Sequence, residues 1–117
     1  MILGRVSHDG VPSIVLNVGG AEWTAIIDTG FNGDVEAPES LREALNARFM
    51  GRVKTILAGG RIIAEEAYSV KFPFDGEMVE ATAAFADTSH ILIGTHLLRM
   101  HKLEIGFLSG YVELERE

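Results

Sequence analysis

The sequence predicts a small, mostly-β domain, a closed barrel or nearly so, with one clear helix and one short one. Three observations lead there: runs in which apolar residues alternate with polar ones, glycine pairs and Asp-Gly dipeptides that separate those runs at hairpin spacing, and a single stretch with apolar residues at helical spacing. Alternation places one face of a strand inward, and the turn dipeptides let the next strand return beside it.

Taken in order, His8-Asp9-Gly10 is a turn signal, and after it Ile14, Leu16 and Val18 alternate. Gly19-Gly20 forms a two-residue loop that returns the chain through Ala21 to Ile27, so these two strands pair. In "APESLREALNARF", Pro38 suits a first helical turn, and Leu41, Ala44, Leu45 and Phe49 recur at helical spacing, which predicts the clear helix over 38–49. Gly59-Gly60 tips a second hairpin, between residues 55–57 and 62–64. Val70, Phe72 and Phe74 alternate before Asp75-Gly76, and Val79, Ala81, Ala83 and Phe85 after it, which predicts a third. "ADTSH" interrupts the pattern, "ILIG" is a short apolar strand stopped by Gly94, and "THLLRMHK" is the short helix. Residues 103–107 and 111–114, split by Ser109-Gly110, form a last hairpin.

Composition bounds the function. The 117 residues are expected to form one domain, residues 1–117, large enough to bury a core unaided. Cysteine is absent, so disulfides, thiolate chemistry and Cys-based zinc sites are excluded, and a reducing cytoplasm would suit the chain. No apolar run is long enough for a membrane span and the first residues lack a signal-peptide pattern, so a soluble cytoplasmic protein is expected. A net charge of −7 with scattered Lys and Arg argues against nucleic acid as a partner. Residues 52–54, Arg61, Arg99 and the Glu65-Glu66 pair read as solvated faces. His96 and His101 are spaced to fall on different faces of a helix, so no metal site is expected.

The chemistry-bearing stretch is "AIIDTGFNG". An apolar strand ends on Asp28, where an unpaired carboxylate is costly to desolvate, and Thr29 and Gly30 follow. A plain turn with Asp28 capping it is one reading. The other is a site in which two aspartates face each other across a symmetry axis. Glycine lets the backbone N–H groups turn toward the carboxylate, and the threonine hydroxyl ties neighbouring backbones together. Two such acids share one proton and hold a water, which one deprotonates while the other donates to the developing oxyanion.

With "LAGGRI" and "ILIGTHLLRMHKLEI" following in order, the chain resembles a retropepsin-like (clan AA) single-domain aspartic protease of the bacterial type. "AIIDTGFNG" is similar to the family's catalytic loop, the glycine-tipped hairpin to its flap, and "ILIG" with Leu97 and Leu98 to its second signature, so the likeness spans residues 25–105. It implies a homodimeric endopeptidase without metal or cofactor. Asp28, Thr29 and Gly30 would form the catalytic loop, and Phe31, Ala58, Gly59 and Gly60 would contact a peptide substrate. A catalytically silent dimerisation or peptide-binding domain is the alternative. Retroviral members pair an acid two positions after the loop glycine with an Arg just after the second glycine; here Asn32 and Thr95 stand there, so both charges are missing together.

Overall fold

In the computed structural model, which describes residues 1–57 and 59–117, ten strands form one sheet. They are β1 (Ile2–Val6), β2 (Pro12–Val18), β3 (Ala21–Ile27), β4 (Val35–Pro38), β5 (Arg48–Ile56), β6 (Ile62–Phe74), β7 (Glu77–Ala86), β8 (Ile91–Ile93), β9 (His101–Gly106) and β10 (Tyr111–Arg116). Their order across the sheet is β5-β6-β7-β4-β8-β3-β2-β1-β10-β9. Among the described residues the sheet does not close on itself, so the closed barrel expected from the sequence is corrected to a long open sheet, with β5 and β9 at its ends.

The hairpins follow the turn chemistry. β2 and β3 pair from Ser13↔Ile26 to Val18↔Ala21, leaving Gly19 and Gly20 as a loop with φ of 63° and 82°. Two successive positive φ values match the twist of an antiparallel pair, and glycine reaches them without strain. β6 and β7 turn at Asp75-Gly76, β9 and β10 flank the last turn, and β5 and β6 run together from Arg48↔Ser69 to Ile56↔Ile62.

Neither expected helix forms. Pro38 ends β4, where it lies opposite Ala86 in parallel pairing with β7. Only a 3-10 turn at Glu39–Leu41 follows, then wider turns closed by Leu45 N–H donating to Leu41 O at 3.0 Å and Ala47 N–H to Arg42 O at 3.1 Å. Leu41 and Leu45 are buried as the spacing required, but Asn46 sits at φ 51° and ends the coil. Phe49, read as the helix's last apolar residue, is 61% exposed on β5. The segment 95–100 is likewise a succession of turns, in which His101 N–H reaches Leu98 O at 2.8 Å before β9 begins at His101. Leu97 and Leu98 still enter the core. That core is built on Ile14, Val18, Val35, Leu45, Val70, Phe72, Ile91, Ile93, Val112 and Leu114, each almost wholly buried. Among the described residues no helix is long and apolar enough to cross a membrane.

β8 positions the chemistry-bearing loop. It lies between β3 and β4, with Ile27↔Ile93 in parallel register on one side and Val35↔Ile93 antiparallel on the other. The chain therefore leaves β3, loops around the end of β8 and returns along its far edge.

Candidate active site

Residues 28–34 make that loop, and four backbone hydrogen bonds fasten it to the chain leaving β8. Asp28 N–H donates to Ile93 O at 2.9 Å, Gly94 N–H to Asp34 O at 2.9 Å, Thr95 N–H to Phe31 O at 2.9 Å and His96 N–H to Gly33 O at 3.1 Å. A loop satisfied in this way at both ends and in its middle has few alternative paths.

Asp28 is half-buried, with Thr29 and Gly30 exposed beside it. Gly30 N–H donates to Asp28 Oδ1 at 2.9 Å, and Phe31 N–H donates to Asp28 O at 3.1 Å. These two bonds fold the Asp-Thr-Gly segment into a tight turn that holds one carboxylate oxygen and leaves Oδ2 without a protein donor among the described residues. Phe31 turns inward and is 8% exposed. Its ring covers Gly33 and Gly94: a Cβ on Gly94 would lie 2.7 Å from Phe31 Cδ2 and would overlap the Gly33 carbonyl. Gly94 is thus glycine because two segments meet there with no room for a side chain.

A cavity of about 240 Å³ opens beside the loop, walled by Phe31, Asp34, Thr55, Glu65, Thr82 and His96 among others. Gly59 and Gly60 are not among the residues that line it. They tip the β5–β6 hairpin with φ of 86° and 80°, closed by Leu57 N–H to Arg61 O at 2.8 Å and Gly60 N–H to Leu57 O at 3.0 Å. Ala58, expected to contact substrate, lies outside the described residues. Asn32 bridges loop and hairpin, since its Oδ1 accepts Ile56 N–H at 3.3 Å.

The sequence suggests that Glu65 lies on a solvated face, yet it is half-buried and lines the cavity. Its burial holds the carboxyl above the ordinary glutamate value, and the negative charge of Glu36 adds to the effect.

Sequence reasoning missed Asp34, which is 7% exposed. Its Oδ2 accepts Thr82 N–H at 2.9 Å, and its Oδ1 lies 2.6 Å from Nδ1 of His96. An acid placed between the polar loop and the apolar start of β4 was the available signal. The sequence offers His96 only as a metal-ligand candidate; in the structure it hydrogen-bonds this carboxylate.

No family model and no curated protein matches the chain. Solved structures do. A retropepsin-like aspartic protease from Rickettsia conorii aligns over 98% of this chain and 89% of its own, at 18% identity and a TM-score of 0.59. The foamy viral protease-reverse transcriptase in complex with an RNA/DNA hybrid aligns over 80% of this chain at 20% identity and a TM-score of 0.59. The chain spans only 13% of that viral protein. These likenesses establish a retropepsin-like fold.

Proposed function

We propose that the chain is an aspartic endopeptidase, a single catalytic domain over residues 1–117 that works as a homodimer. One observation carries the reading: the half-buried Asp28 sits in a turn that fixes one carboxylate oxygen and leaves the other open, in a loop fastened to the end of β8 within a retropepsin-like fold. One chain supplies one such aspartate, and the water-activating chemistry needs two.

In the dimer the Asp28 carboxyls of the two protomers meet on the two-fold axis and share a proton. The ionised member takes a proton from the bound water as it attacks the peptide carbonyl, and the protonated member hydrogen-bonds the oxyanion. Thr29 and Gly30 hold the loop. Phe31 shapes the adjoining cavity wall, and the hairpin tipped by Gly59 and Gly60 closes over an extended peptide as a flap. With Asn32 and Thr95 in place of an ion pair, the interface relies on apolar contacts and terminal strands, and dimerisation responds weakly to salt.

Incubation with unfolded casein or a peptide library across about pH 4 to 7 tests the reading, since a shared carboxyl pair is active only while it holds one proton. Fragments made by the wild type and absent with Asp28→Asn are expected. Equal cleavage by the two proteins contradicts it, and a folded protein that binds peptides without cutting them would instead indicate the silent binding domain.

A further inference from the structure

Asp34 and His96 are 62 residues apart in sequence, yet their side chains meet at 2.6 Å. The contact lies where three segments converge: the loop 28–34, β7 through Thr82 and the turn 94–96. The Asp34 side chain is 8% exposed and spends one oxygen on Thr82 N–H, which leaves His96 as the partner of the other. An ionised carboxylate only accepts hydrogen bonds, so it requires the proton on Nδ1 and thereby selects the orientation of the imidazole ring. His96 also donates its backbone N–H to Gly33 O at 3.1 Å. One residue therefore grips two consecutive loop positions, Gly33 through its backbone and Asp34 through its side chain.

We infer that Asp34 and His96 are a positioning pair, which sets the Asp28 loop against the end of β8 and holds it in the geometry that a shared carboxyl dyad needs. The inference rests on the peptidase reading for its catalytic consequence and on the structure alone for its mechanical one. His96 does not touch the reacting atoms. Its side chain is 57% exposed, so truncating it removes the grip on Asp34 while leaving the core and the backbone bond to Gly33 in place. The effect on rate then comes through misplacement of Asp28. Reacting groups displaced by about 1 Å can lose about a hundredfold in rate.

The experiment compares wild type, His96→Ala and His96→Asn by peptide-cleavage kinetics and by amide hydrogen exchange on the same folded proteins. Asparagine carries an amide donor on the atom equivalent to the imidazole Nδ1 and can restore the bond to Asp34. His96→Ala is expected to lower kcat by about ten- to a hundredfold with KM changed less than about threefold, because loop geometry and not peptide affinity is lost. Exchange at Phe31 and Thr95 N–H should quicken about tenfold or more as the local opening becomes easier, and His96→Asn should recover most of both losses. A folded His96→Ala protein with unchanged exchange overturns the pair, and quickened exchange with unaltered kcat overturns its role in placing Asp28. If the wild type cleaves no peptide at all, the peptidase reading fails by itself, and the exchange comparison still decides whether the pair holds the loop.

Discussion

Asn32 Oδ1 accepts the backbone N–H of Ile56 at 3.3 Å, joining the loop that carries Asp28 to the hairpin tipped by Gly59 and Gly60. The bond occupies an N–H on the open edge of the sheet, the kind of donor an extended peptide uses when it docks as an added strand.

Asn32→Ala is therefore expected to free the hairpin. Hydrogen exchange at Ile56 should rise about five- to tenfold, the equivalent of about 1 kcal/mol for one lost bond. Exchange in the β2–β3 hairpin should stay as it was. An unchanged rate at Ile56 would show that the contact is not held in solution.

Gly94→Ala tests the closeness of the loop to the end of β8. The added methyl would meet the Gly33 carbonyl and the Phe31 ring, neither of which is the movable end of a flexible side chain. The cost should be at least about 3 kcal/mol, at the upper end for overpacking because backbone must move. Urea unfolding would measure it, and a loss below about 1 kcal/mol would mean the two segments separate easily.

Glu65 gives a pH dependence with a definite sign. Burial raises its carboxyl in the folded chain above the value of 4.5, so between that pH and the raised value the folded state binds more protons than the unfolded one. Stability contributed by this group is present at low pH and falls as pH rises through that window. Glu65→Gln should remove this part of the decline and raise stability at pH 7 by less than about 1 kcal/mol, since the side chain is partly in solvent and screened. Thermal unfolding of both proteins across pH 4 to 7, read as a difference, checks it. A variant that is less stable at neutral pH would contradict the assignment.

The hairpins were legible in the sequence because their turns are chemically explicit. Gly19-Gly20, Gly59-Gly60 and Asp75-Gly76 supply backbone conformations that few other residues reach, and the flanking alternation sets the register. β4 was not legible: Val35–Pro38 has four residues and ends in proline, and it becomes a strand only through distant partners on β7 and β8. The helix over 38–49 failed for a related reason. Leu41 and Leu45 bury as expected, but one turn suffices to bury them, and Phe49 belongs to β5, where it packs edge-on against Tyr68. At the site, the tight turn at Asp28-Thr29-Gly30 was readable because it is a local backbone pattern; the need for Gly94 was not, because it arises where the chain packs against Gly33 and the Phe31 ring. The pairing of Asp34 with His96 was not, because it depends on which segments the sheet order brings together.

The shared carboxyl dyad is tested most directly by adding Asp28→Asn chains to a fixed amount of wild type, at concentrations where all chains are paired and exchange partners. If each site needs an Asp28 from both protomers, mixed dimers are inactive, and an equal amount of the variant lowers the cleavage rate to about half through random pairing. Further variant drives the rate toward zero. A rate that stays constant at every ratio, with mixed dimers demonstrated, would place the whole site within one chain and contradict a dyad on the two-fold axis.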